Sequence, residues 1–221
     1  MIVNEHIEDY INSLGSDMAP ELDRLEAWAL DNGVPIIRKS MQTLLRFILI
    51  KEKPKRILEV GAAIGFSALF MSNNIPKDSH ITTIEKVEMR LVEARKNLAG
   101  NDKITLLEGD ALEVLENLAN EVSEETKFDF VFLDAAKGQY LNFLKSIRKL
   151  MAPGALLITD NILLEGSIAE SKFSIERRDR TIHLRMREYL HEITHSPDFE
   201  TVILPLGDGV AVSYFMKERN E

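Results

Sequence analysis

From Arg56 onward the chain alternates short apolar, β-branched runs with helix-like stretches, a pattern that commits it to βαβ units, a mostly parallel sheet and an α/β fold. The strand-like runs fall at residues 56–60, 80–85, 103–108, 128–134, 155–160, 201–204 and 210–215. Helix-like stretches lie between them, among others at 87–98, 111–122, 139–150 and 174–195. The first fifty residues read instead as three helices, at 4–14, 20–30 and 37–50, broken at Gly15-Ser16 and Asn32-Gly33. One domain is expected over residues 1–221, with 1–52 a helical appendage and 53–221 the sheet core. The last two runs are joined by Pro205-Leu206-Gly207-Asp208-Gly209. That turn is too short for a helical crossover, so these runs should form an antiparallel hairpin that reverses the last strand at the end of the sheet.

Two apolar runs close on acids: Phe130-Val131-Phe132-Leu133 leads into Asp134, and Leu156-Leu157-Ile158-Thr159 into Asp160-Asn161. Open α/β sheets bind ligands at the carboxyl ends of their strands. Two carboxylates and an amide oxygen converging there suit a hard cation such as Mg²⁺. With no cysteine in the chain, disulfides, zinc-thiolate sites and thiol nucleophiles are excluded. No apolar stretch reaches the ~20 residues of a membrane span, and the amino terminus does not have the build of a signal peptide, so a cytoplasmic protein without membrane partners is expected. The net charge of −9 argues against nonspecific coating of nucleic acid. A local basic segment stands out nonetheless: between Lys172 and Arg187, six basic side chains face only Glu176 and Asp179.

The first strand runs through Glu59 into Gly61-Ala62-Ala63-Ile64-Gly65, then Phe66-Ser67 and an apolar helix. Such a turn lets backbone approach a ligand at a helix amino end, yet its G-x-x-x-G spacing is not the G-x-G-x-x-G of dinucleotide sites. Glu85 closes the second strand, where a carboxylate either accepts from ribose hydroxyls or stands solvated. Gly109-Asp110-Ala111 follows the third, and Asp110 suits either a helix cap or an adenine amino contact. Three such features on successive strand ends point to a nucleoside-containing cofactor, and the absence of a P-loop lysine speaks against a nucleoside triphosphate.

Glu59-Val60-Gly61-Ala62-Ala63-Ile64-Gly65-Phe66-Ser67, Glu85, Gly109-Asp110-Ala111, Leu133-Asp134-Ala135-Ala136-Lys137 and Thr159-Asp160-Asn161 together resemble the motif set of cation-dependent O-methyltransferases that use S-adenosylmethionine (SAM), the group of the catechol and caffeoyl-CoA enzymes. The resemblance runs from about Met41 to the carboxyl end. It implies a Rossmann-like class I methyltransferase with a seven-stranded sheet and a reversed last strand. It also implies a cofactor site of Met41, Glu59, Gly61, Gly65, Ser67, Glu85, Gly109, Asp110, Ala111 and Asp134. Mg²⁺ or a similar ion would be held by Asp134, Asp160 and Asn161, favouring the oxyanion form of an acceptor hydroxyl. Lys137 matches the proposed general base of that family; read alone, without the flanking motif, it is a surface lysine after a strand. Family members often form dimers, so a homodimer is implied.

A closer resemblance, to the bacterial tRNA 5-hydroxyuridine methyltransferases, draws on Asp134 to Tyr140, Thr159 to Gly166, Arg177-Arg178-Asp179-Arg180, the turn from Pro205 to Gly209, Arg24-Leu25-Glu26-Ala27 and Val34-Pro35-Ile36. It implies 5-hydroxyuridine in the tRNA anticodon stem-loop as acceptor, with Arg177, Arg178 and Arg180 on its phosphates and the base flipped into the metal pocket. Without it, the arginines read as the solvated face of a helix. Asp208 either hydrogen-bonds the acceptor or makes the turn. A small catechol or phenylpropanoid acceptor is the alternative within the same chemistry, and a non-catalytic cofactor-binding protein the alternative outside it.

Overall fold

The computed structural model describes residues 4–15 and 17–216; Ser16, half of the expected first break, and both chain ends lie outside the described residues. Three helices, α1 (Glu5–Ser13), α2 (Pro20–Asp31) and α3 (Lys39–Glu52), precede the sheet. Then follow β1 (Arg56–Val60), α4 (Phe66–Ser72), β2 (His80–Glu85), α5 (Glu88–Leu98), β3 (Ile104–Glu108), α6 (Ala111–Glu121), β4 (Phe128–Leu133), α7 (Tyr140–Leu150), β5 (Met151–Thr159), α8 (Arg180–His195), β6 (Phe199–Leu204) and β7 (Val210–Phe215). The strands form one sheet in the order β3-β2-β1-β4-β5-β7-β6. β7 runs antiparallel to both of its neighbours, and the other pairings are parallel. The reversed last strand and its antiparallel hairpin are as expected, but β7 slots between β5 and β6, so that β6 and not β7 takes the edge.

The central strands β1, β4 and β5 feed two cores through their period of two. Leu58, Val60, Val131, Leu133 and Leu157 face Tyr140, Phe143, Ile147, Met186 and Tyr189 of α7 and α8. Their neighbours Ile57, Phe130, Phe132 and Ile158 face Leu22, Leu45, Leu49, Phe66 and Phe70 of α2, α3 and α4. The amino-terminal helices are thus more than an appendage, because α3 supplies Met41, Leu45 and Leu49 to the second core.

Two expected element starts move furthest. β5 starts at Met151, since Pro153-Gly154, which reads as a turn, is absorbed by a register shift against β4. The helix expected at 174–195 starts at Arg180. Upstream, Glu165 and Gly166 take left-handed backbone angles, and the Arg180 guanidinium folds back onto the carbonyls of Ile175 and Phe173, so Arg177 and Arg178 lie before the helix. No helix among the described residues is long and apolar enough to cross a membrane.

Candidate active site

The strand order reverses between β1 and β4, and their carboxyl ends open into a cavity of about 610 Å³. Gly61, with φ 108°, sits at that junction. A Cβ there would come within 2.1 Å of the Asp134 carbonyl oxygen, so this crossing of two strand ends accepts only glycine. Gly61, Ser67, Glu85, Gly109, Asp110, Ala111, Asp134, Asp160 and Asn161 all line the cavity. Nine scattered positions chosen from strand ends therefore meet around one space.

On the side of β2 and β3, carboxylates are matched by donors. Glu85 is 6% exposed. One of its oxygens accepts from the backbone N–H of Lys86 and Val87, both at 2.8 Å, and the other from Ala63 at 2.9 Å. It thereby fixes the β1 turn and leaves lone pairs toward the cavity. Asp110 caps α6 through Leu112 N–H and pairs with Lys86 at 3.0 Å. The Lys86 ammonium, with the Leu112 amide, holds its carboxyl below the usual range. Capping is what the side chain does here, while its position on the wall leaves it able to meet a ligand.

On the side of β4 and β5 the acids lack such partners. Burial pushes the Asp134 carboxyl up, against the opposing pull of the Asn161 amide and then Lys137. Asp160 is pushed up to about 7 by burial first and by the charge of Asp134 second. Asn161 donates its backbone N–H to Asp160 at 2.7 Å and its side-chain NH₂ to Asp134 at 3.0 Å. Its φ of 59° is a left-handed angle that asparagine adopts more readily than most residues. From below, the Tyr140 hydroxyl donates to the Asp160 carbonyl at 3.2 Å. Among the described residues no three His, Cys, Asp or Glu side chains gather into a metal site; beside the two carboxylates stands the Asn161 amide. Two desolvated carboxylates with an amide oxygen form a hard, anion-rich donor set, and that set fits a cation such as Mg²⁺.

Other expected residues fall elsewhere. Met41 is buried in the core on α3, and Gly65 forms the left-handed cap of α4 against Leu98. Glu59 is fully buried behind the wall, bonded by Thr83. Asp208, in the turn between β6 and β7, and Lys137 both lie off the cavity lining, and the two pair with each other at 3.2 Å. Arg177 and Arg178 are exposed away from the cavity lining, and Arg180 is spent on backbone carbonyls. Sequence reasoning missed Arg38 and Arg90 on the wall. Arg90 stands one turn into α5 and 3.9 Å from Glu85, whereas Arg38 follows Pro35-Ile36-Ile37, which also line the cavity.

The model of the O-methyltransferase family matches residues 17–215. The chain belongs to the O-methyltransferase family. Among similar O-methyltransferases, the caffeoyl-CoA O-methyltransferase of Petroselinum crispum is 32% identical over 178 residues, 76% of this chain and 71% of that protein. A Staphylococcus aureus structure, provisionally described as a caffeoyl-CoA O-methyltransferase, superposes with a TM-score of 0.85 at 30% identity, covering 96% of this chain and all of the other. The O-methyltransferase of Bacillus cereus, solved in complex with SAH, shares the fold with a TM-score of 0.82 at 21% identity, over 95% of this chain and 97% of that one.

Proposed function

We propose that the protein transfers a methyl group from SAM to a ring hydroxyl that stands beside a second oxygen, with a divalent cation at Asp134, Asp160 and Asn161. The carrying observation is the pair of buried, underpartnered carboxylates at one end of a cavity whose other end offers Glu85 and the Gly61 turn. Family membership supports the reaction class, and the SAH held by the Bacillus cereus protein supports the cofactor. SAM supplies the methyl as an electrophilic sulfonium substituent; a divalent cation supplies charge that favours the acceptor's oxyanion form. Glu85 accepts from the ribose hydroxyls, the Gly61 turn admits the cofactor's backbone-hugging portion, and Lys137 receives the acceptor's proton.

For the acceptor, the caffeoyl-CoA relatives support a small catechol-like phenol. Its two adjacent oxygens suit a cation held by hard donors. A second reading, 5-hydroxyuridine in the tRNA anticodon loop, whose hydroxyl neighbours a carbonyl, is favoured by one surface feature. Phe173 is 77% exposed, Lys172 stands 5.2 Å over its ring, and Arg177 and Arg178 are exposed nearby in sequence. An aromatic face amid cations suits unpaired bases and phosphates.

The test incubates the protein with SAM and Mg²⁺ and either catechol and caffeoyl-CoA or tRNA carrying 5-hydroxyuridine, each with a chelated control, and reads products by mass spectrometry. Metal-dependent methylation of the phenols alone upholds the small-molecule acceptor. Formation of 5-methoxyuridine, weakened about tenfold or more at moderate salt by Arg177→Glu with Arg178→Glu, upholds the tRNA acceptor. No methylation of either defeats the proposed reaction.

A further inference from the structure

Asp208 lies in the turn between β6 and β7, and its side chain is 4% exposed. The two oxygens of its carboxylate go to different segments. One accepts from Lys137 Nζ at 3.2 Å, just past the end of β4; the other accepts from the backbone N–H of Glu165, just past the end of β5. The same turn binds that second segment through main chain as well: Leu163 N–H donates to the Asp208 carbonyl at 2.8 Å and Ile162 N–H to Gly209 at 3.1 Å. Gly209 allows the close approach, for a Cβ there would stand 2.2 Å from the Leu163 side chain. The segment so held is strained, with Asn161, Leu164 and Glu165 all at positive φ. Non-glycine residues keep such angles only where the surroundings enforce them.

One buried carboxylate therefore joins the stretch after Asp134 to the stretch after Asp160. We propose that Asp208 is a positioning residue for methyl transfer, orienting Lys137 and clamping residues 161–165. The inference rests on the proposed reaction. In that reaction the acceptor O–H gives its proton to the neutral amine of Lys137, the oxygen bonds the methyl carbon, and the C–S bond breaks with its electron pair returning to sulfur. The ammonium so formed faces the Asp208 carboxylate, which fixes the amine beforehand and offsets its new charge. This is the part played by the third group behind any paired nucleophile and base.

Three variants separate the two jobs of Asp208. Asp208→Asn keeps size and an acceptor oxygen for Glu165 N–H while removing the charge opposite Lys137; Asp208→Ala removes both; Lys137→Ala removes the base. Rates are measured with SAM, Mg²⁺ and both acceptor types named above, alongside amide hydrogen exchange of residues 161–168. Asp208→Asn is expected to lower kcat about tenfold to a hundredfold with KM for SAM unchanged, and to leave the exchange as in the unaltered protein. Asp208→Ala is expected to speed the exchange as well. Added to Lys137→Ala, Asp208→Asn should cost nothing further, because it acts through the lysine. Full kcat in Asp208→Asn, or losses that multiply in the double variant, would overturn the assignment while leaving the reaction standing. Absence of turnover by the unaltered protein would instead defeat the reaction and this role together.

Discussion

The two ends of the cavity use the same residue type in opposite ways. At β2 and β3, Glu85 and Asp110 are surrounded by donors: three backbone amides for one, a lysine and a helix amino end for the other. At β4 and β5, Asp134 and Asp160 face each other with one asparagine between them, and both carboxyls are pushed up. The first end is electrically complete and can spend its spare lone pairs on neutral hydroxyls. The second keeps two carboxyl groups out of water with few donors, a setting that would suit a cation. Position at a strand end thus decides where an acid goes, while the local supply of donors decides what it can bind.

The largest effect comes from breaking the anionic end. Asp160→Ala should reduce metal-dependent turnover on the order of a thousandfold, since cation assistance is worth several kcal/mol, and excess Mg²⁺ should not restore it. Steady-state rates with and without chelator measure this. Retained, metal-responsive activity would remove the electrostatic distinction between the two ends.

A smaller effect lies beneath both ends. Glu59 is buried under the first turn, one of its oxygens lacks a partner, and burial pushes its carboxyl up to about 7 from 4.5 against the opposing Ser67 and Thr83 hydroxyls. Below pH 4.5 the group is protonated in folded and unfolded chains alike and costs nothing. Between 4.5 and about 7 the unfolded chain gives up the proton while the folded one keeps it, so stability falls as pH rises and stays reduced above 7. The cost reaches at most about 3 kcal/mol. Glu59→Gln should therefore melt several degrees higher than the unaltered protein at pH 8, with the difference shrinking to little at pH 4.5. Equal melting temperatures across that range would show that the buried carboxyl is ionised without penalty.

Much of this was legible in the chain. β1, β2 and β7 were bounded correctly because their apolar runs are flanked by clear punctuation, and the strand-end acids could be gathered into one site because strand polarity fixes where they go. The rest depends on contacts distant in sequence. Nothing local says that β7 inserts beside β5, since a short turn dictates a hairpin and not which of its strands finds the sheet. Arg38 and Arg90 carry no motif, because a single arginine has the same pattern on a cavity wall as on a solvated helix. The inward turn of Asp208 follows from Gly209 packing against Leu163, which no reading of the turn residues alone contains.

Equilibrium binding of SAH and of Mn²⁺, the latter as a probe of the cation site, to the unaltered protein, Glu85→Gln and Asp160→Asn would test the division of the cavity most directly. The division predicts a crossed result: Glu85→Gln weakens SAH about tenfold and leaves Mn²⁺ alone, whereas Asp160→Asn loses Mn²⁺ and leaves SAH alone. Both variants losing both ligands, or Asp160→Asn binding Mn²⁺ undiminished, would contradict it.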